Sequence, residues 1–297
     1  MTAKRALCVG INKFKHIPQS NWLYGCVNDA NDMSALLTSK YGFAAGDVTV
    51  LTDAKATKKA VMSKLEAMVK GAEHGTVKHI VFTYSSHGTQ VPDTSGDELD
   101  LVDEALVAYD LAQAGDQWDL NTVLVDDELG ALFARVPAGV LVEVYLDTCH
   151  SGTGLKAMDL LPGRMPRFLP PPTPIGLDQI LDRSVGLETR TVIQRKQQSR
   201  FFRRKRSAGA TGTAKAAGSI PVLFAACQAN QTSSDASFKG RSNGAFTYYL
   251  LQTLKKTPAA SRADLVKAIR AGLKSDRFDQ VPQLEAAASA KKVKVGA

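Results

Sequence analysis

Nothing in the 297 residues approaches the run of about 20 apolar residues that spans a bilayer. A chain without a membrane span is expected. The apolar "ALCVGI" after Lys4 and Arg5 is too short for the core of a secretory leader, and it runs into "NKFKH" rather than a small-residue cleavage site. A cytoplasmic protein is the expectation. Cysteine is scarce as well. Cys8, Cys26, Cys149 and Cys227 lie far apart, with no C-x-x-C pair. That excludes the common zinc patterns and a secreted disulfide framework, and predicts free thiols in a reducing compartment. No internal repeat and no EF-hand loop is present. Lys and Arg are missing from residues 88–134, where twelve Asp or Glu stand. Acid is nearly missing from residues 183–217, which hold ten Lys or Arg against one Glu. The net charge of +8 is therefore a local block rather than a uniform property.

What is present reads as alternating elements. "RALCVGIN", "VTVLTD", "KHIVFTYS" and "GVLVEVYLD" are short apolar runs of strand type. Between them, "VNDANDMSALLTSKYG", "TKKAVMSKLEAMVKGAEHG" and "VDDELGALFARVP" have helical periodicity. Asn28 or Asp29 is the expected cap of the first of these helices, and Asp126 or Asp127 of the third. The alternation predicts an α/β fold with a mainly parallel central sheet flanked by helices on both faces. The pattern breaks at residue 163. "LPPPTP" is stiff and extended, and the basic stretch that follows has linker composition. Order resumes with the strand "PVLFAAC" and the helices "GAFTYYLLQTLKK" and "SRADLVKAIRAGLKS". The division expected is a catalytic region over 1–162, a Pro-rich and basic linker over 163–219, and residues 220–297 completing one domain.

In open α/β sheets ligands bind outside the carboxyl ends of the strands. Two such ends carry reactive side chains, His87 after "IVFTYS" and Cys149 after "VEVYLD". An imidazole can take the proton of a thiol and return it to a leaving amine. The backbone N–H groups of Gly88 and Cys149 are the candidate donors to a tetrahedral oxyanion. His150 is disfavoured as the base, since adjacent residues of an extended chain point to opposite faces. The competing reading is a buried structural cysteine, which suits Cys8 and Cys227 inside apolar strands.

At these residues the sequence resembles a known family. "YSSHGTQ" (84–90) and "LDTCHSG" (146–152) look like the two catalytic signatures of the metacaspases, in the caspase-like clan of cysteine proteases. "YGCVNDAND", "SGDELDLVDEALVAYD", "LVDDEL" and "AACQANQTSSD" extend the likeness over nearly the whole chain outside the basic excursion. The short N-terminus resembles the prokaryotic type, the orthocaspases. Ser86 and Thr148 depart from the usual glycine and serine, and neither removes a reacting group.

The resemblance implies a caspase-like fold and a cysteine endopeptidase acting on proteins or peptides with Arg or Lys before the scissile bond; a monomer is expected. It places Asp29 and Asp147 in the specificity pocket, with Ser85 as a neutral partner. Without it, Asp29 reads as a helix cap and Asp147 as a strand-end turn residue. It also implies activation by calcium (Ca2+) held by Asp103, Asp126, Asp127 and Asp159. For residues 183–217 two roles compete. One is binding of nucleic acid or anionic lipid. The other, preferred, is self-cleavage in a linker rich in the residues the pocket selects.

Overall fold

The computed structural model describes residues 3–93, 102–149, 163–173, 219–228 and 231–297. The basic stretch 183–217, the acidic residues Asp97, Glu98 and Asp100, and Asp159 lie outside them.

Four apolar runs form adjacent strands of the main sheet: β1 (Lys4–Gly10), β2 (Val48–Thr52), β3 (His79–Ser85) and β9 (Leu141–Asp147). With β11 (Val222–Ala225) and β14 (Gln283–Glu285) they make a six-stranded sheet in the order β14-β11-β9-β3-β1-β2. All neighbours are parallel except β14, which runs antiparallel at the edge. The mainly parallel sheet expected from the sequence is the sheet observed. Strand "PVLFAAC" pairs with "GVLVEVYLD" through Phe224 opposite Tyr145, so the segments on either side of the excursion share one sheet.

Side-chain alternation then fixes two cores. Leu7, Val9, Phe82, Tyr84, Val144 and Leu146 face one cluster, with buried residues of α2 (Lys58–Glu73) and α3 (Asp126–Phe133). Ala6, Cys8, Val81, Tyr145 and Phe224 face the other, with α1 (Cys26–Lys40), α4 (Ala245–Lys256) and α5 (Arg262–Ser275). A last short helix is α6 (Ala288–Lys291).

Two small sheets frame the carboxyl ends of the central strands. One joins β4 (Gly88–Pro92), β5 (Val102–Val107) and β8 (Val123–Val125). The other joins β10 (Arg164–Pro166), β12 (Ser234–Phe238) and β13 (Arg241–Gly244). The hairpin pair β6 (Gln113–Ala114) and β7 (Gln117–Trp118) stands apart.

The caps differ from expectation. Gly25, not Asn28 or Asp29, is the N-cap of α1. The Asn12 side chain, reaching from beyond β1, accepts the N–H groups of Cys26 and Val27 at 2.8 and 3.2 Å. Val125 caps α3, so Asp126 and Asp127 sit inside its first turn, where the helix dipole favours negative charge. Residues 163–173 also depart from the linker expected there. Arg164–Pro166 pair antiparallel with β12, Arg164 opposite Ala236 and Pro166 opposite Ser234.

Candidate active site

The register levels the strand ends. Gly10 pairs with Ser85, and Ser85 with Asp147. His87 follows β3 by two residues and Cys149 follows β9 by two, so both emerge at the same edge. Both are buried.

His87 is oriented by its surroundings. Its Nε2 bonds the Asn21 carbonyl at 2.7 Å, and the ring lies 5.3 Å from that of Phe14. A carbonyl only accepts, so Nε2 carries the proton and Nδ1 keeps its lone pair. Nδ1 is buried and has no hydrogen-bond partner. Burial holds the imidazole down at about 4, against the raising influence of the Asn21 bond. The ring is therefore neutral at pH 7. The Cys149 thiol donates to the Gln231 carbonyl, so the unpartnered Nδ1 and the thiol are not joined in this state.

The other thiols are held protonated. Burial pushes Cys8 up to about 12 and Cys26 well above its ordinary value. Cys227, expected inside a strand, lies beyond the end of β11 and beside Cys149. That contact, then burial, pushes its thiol well up.

The acidic pocket is built from three segments. Asp29 comes from α1, Asp147 from the end of β9 and Asp235 from β12, all buried. Each is fixed by donors of its own. Asp29 accepts from Asn243 Nδ2 at 2.8 Å and from the Gly244 N–H at 3.1 Å. Asp147 accepts from Ser233 Oγ at 2.6 Å and from Thr247 N and Oγ1 at 2.9 and 2.7 Å. Asp235 accepts the N–H groups of Tyr24 and Gly25 at 2.6 and 3.1 Å. Gly244 and Thr247 lie at the start of α4, whose dipole adds to the stabilisation of the two anions they touch.

One guanidinium fills this pocket, and it belongs to the chain itself. Arg167, with 0% exposure, sets Nη2 at 2.7 Å from Asp29 and 3.0 Å from Asp235, and Nη1 at 3.3 Å from Asp147. A Cβ on Gly244 would stand 2.1 Å from Asp147 Oδ2 and 2.4 Å from Arg167 Nη1, so only glycine leaves room for the group. A single cation cannot neutralise three carboxylates. Burial, with repulsion from Asp147, lifts Asp29 to about 7 although Arg167 and Asn243 oppose the rise.

The Arg167 backbone is held as firmly as its side chain. Its carbonyl oxygen accepts from Gly88 N at 2.9 Å and Cys149 N at 3.2 Å, the two N–H groups singled out in the sequence. Its own N–H donates to Ser233 O at 2.9 Å.

Residues 3–294 match the caspase domain family, Peptidase C14. The chain belongs to that family. Metacaspase-1 of Cryptococcus neoformans var. neoformans serotype D (strain JEC21) is 31% identical over 303 residues, with 95% of this chain and 62% of that protein covered. Metacaspase-1A of Aspergillus niger is 30% identical over 294 residues, with 95% and 69% covered. The chain thus spans 62% and 69% of the length of these two curated relatives. Among solved structures, protein GSU0716 from Geobacter sulfurreducens superimposes with a TM-score of 0.64 at 28% identity, over 99% of this chain and 98% of that one. Caspase-1 from Spodoptera frugiperda does so with a TM-score of 0.54 at 14% identity, over 96% and 86%. At that identity the likeness is one of fold.

Within this caspase-domain chain, the expected site residues fall into three groups. Cys149, His87 and Gly88 meet at the strand ends, and Asp29 and Asp147 meet around Arg167. Ser85 is buried beside Asp147 in register, and its backbone carbonyl accepts from Ile11. The expected calcium ligands gather only in part. Ala105 pairs with Val125, which puts Asp103 and the Asp126–Asp127 pair at one end of the β5–β8 ladder. Among the described residues no group of three or more His, Cys, Asp or Glu is arranged to hold a metal ion, and Asp159 lies outside them.

Sequence reasoning missed Asp235, Arg167 and the Asn21 carbonyl. Asp235 closes the quoted motif "AACQANQTSSD" and was within reach. The other two are set by tertiary contacts. Among the described residues, no helix is long and apolar enough to cross a membrane.

Proposed function

We propose that this caspase-domain chain is a cysteine endopeptidase that cleaves after Arg or Lys, with Cys149 as nucleophile and His87 as base. One observation carries the reading. An arginine lies with its guanidinium among Asp29, Asp147 and Asp235 while its carbonyl oxygen meets the N–H groups of Gly88 and Cys149. The pocket thus fixes the residue before the scissile bond, and the same residue's carbonyl is polarised beside the thiol.

The chemistry follows from the parts. Rotation of the Cys149 side chain off the Gln231 carbonyl brings its proton to His87 Nδ1. The sulfur adds to the carbonyl carbon, and the two N–H groups take up the charge that forms on oxygen. His87 protonates the departing amine, then activates the water that releases the acid. Asn21 holds the ring in the tautomer this needs.

A short fluorogenic peptide ending in Arg tests the reading. Wild-type protein should turn it over and leave peptides ending in Asp or citrulline uncut. Cys149→Ala should lower the rate by a factor of a thousand or more, with unfolding little changed. Equal cleavage after Asp and Arg would remove the pocket assignment. Calcium enters the proposal as an activator outside the bond-making steps, with Asp103, Asp126 and Asp127 contributing. A chelator that left the rate of purified protein unchanged would rule that role out.

A further inference from the structure

The segment that enters the site does so as a substrate would. Arg164–Pro166 add an antiparallel strand to β12, which is how an extended peptide docks on a sheet edge. Arg167 fills the pocket and offers its carbonyl to the two donors. The grip continues past the next bond. Phe168 bridges to Gly88, the Leu169 N–H donates to the Gly88 carbonyl at 2.9 Å, and Thr89 Oγ1 donates to the Leu169 carbonyl at 2.7 Å. The peptide is anchored on both sides of one bond, and the anchors on the far side have no purpose in merely neutralising acid.

We infer that the Arg167–Phe168 bond is the chain's own first substrate, cut in cis, and that until it is cut Arg167 keeps other substrates out of the pocket. The inference rests on the peptidase reading above. It moves self-cleavage from the basic stretch 183–217, which the sequence favoured, to a position before it. Arginines in that stretch are many; among the described residues, Arg167 is the one seated among the three carboxylates.

The step balances with water as the sole co-reactant. Cys149 gives its proton to His87 and its sulfur bonds the Arg167 carbonyl carbon. The carbon–nitrogen bond to Phe168 breaks, and His87 hands the proton to the Phe168 amine. Water then adds to the thioester, and the sulfur leaves with a proton restored through His87. The products are an Arg167 carboxylate and a Phe168 amino terminus. The new carboxylate arises at the two N–H donors, next to a pocket that holds more carboxylate than cation, and like charge favours its departure.

The full chain, freshly purified, should yield a fragment whose N-terminal residue is Phe168, read by intact mass and N-terminal sequencing. The first-order rate should not change over a hundredfold range of protein concentration. Cys149→Ala should stay whole. Arg167→Lys should still be cut at this bond. Arg167→Gln should not, and should turn over the Arg peptide from the first seconds, without the lag shown by wild type. Arg peptide turned over by a wild-type chain whose 167–168 bond stays intact, or that is cut only within 183–217, overturns the inference and leaves the peptidase reading standing. Absence of both self-cleavage and peptide turnover, with calcium supplied, overturns both. A self-cleavage rate proportional to protein concentration overturns the cis step alone.

Discussion

Among the described residues two arginines are fully buried, and they are buried differently. Arg262, at the start of α5, binds Glu143 through Nε and Nη2, both at 3.0 Å. Its remaining donors reach the carbonyls of Ala290 and Ala297 at 2.9 and 2.8 Å. Glu143 in turn takes His79 at 3.2 Å and the Gly296 N–H at 3.2 Å. One cation meets one carboxylate, and every nitrogen of the guanidinium is bonded. Arg167 meets three carboxylates, each already supplied with other donors, and its Nε has no partner. The first arrangement is complete only with its arginine. The second is a set of carboxylates each held by donors besides its arginine, three against one cation. Excess charge held by independent donors is the feature that sets the proposed substrate pocket apart from the Arg262–Glu143 ion pair.

Removal of each arginine tests that distinction with the largest expected effect. Arg262→Ala leaves Glu143 buried without its cation, and breaking a buried pair in this way costs about 3–5 kcal/mol. It should cut stability by that order in urea unfolding of the Cys149→Ala background, where the chain stays whole. Arg167→Ala leaves carboxylates that keep their Asn243, Ser233, Thr247 and backbone donors and can bind a solvent cation. Its loss of stability should be less than half as great. Equal losses would make Arg167 a second structural pair.

Asp235→Asn comes next. The substitution keeps the acceptor for Tyr24 and Gly25 but takes one charge from the pocket. For Arg peptides kcat/KM should fall about tenfold to a hundredfold, the direction expected when a buried cation loses a counter-charge. Glu143→Gln, which alters the other arginine's partner, should leave the preference for Arg over citrulline unchanged in whatever fraction folds. A shift of that preference by Glu143→Gln and none by Asp235→Asn would invert the comparison.

The same two sites show what the sequence displays and what it hides. Apolar runs such as "KHIVFTYS" and "GVLVEVYLD" set β3 and β9, and parallel pairing then carries His87 and Cys149 to one edge without further information. The helix "KKAVMSKLEAMVKGAE" announces itself by period and by Thr57, whose hydroxyl accepts from Ala60. The cap of α1 is not local, because Asn12 supplies it from 14 residues away. Asp29 therefore looks like a cap while its carboxylate serves the pocket. "GRMPRFLPPP" has neither period and reads as linker. Its order comes from partners 138 and 68 residues away in sequence, Asp29 and Asp235. A local window contains nothing of that. Composition draws attention to the arginines of 183–217 for the same reason, since density of charge says nothing about whether an arginine such as Arg167 is seated among carboxylates.

The smallest effect, and the one that separates the two sites most sharply, is the sign of their pH dependence. Asp29 is raised from 3.8 to about 7 by burial, with Asp147 adding to the rise. A folded value above the unfolded one means that the folded chain holds the proton more tightly. The stabilisation from that proton is complete below pH 4 and is lost as pH rises toward 7. Glu143 is lowered, since His79, Arg262 and the Gly296 N–H together outweigh its burial. Its contribution is present above the ordinary carboxylate range and is lost as pH falls through it. Urea unfolding of the Cys149→Ala chain between pH 4 and 8 should thus respond oppositely to two substitutions. Asp29→Asn should make stability rise more steeply with pH between 4 and 7 than in the parent. Glu143→Gln should flatten the loss on the acid side. His87, held near 4, adds a slope of its own, but it is common to parent and variants and cancels in the difference. Differences of the same sign would show that the Asp29 carboxylate is as fully neutralised by Arg167 as Glu143 is by Arg262, and the pocket would then carry no excess of charge with which to draw a substrate in.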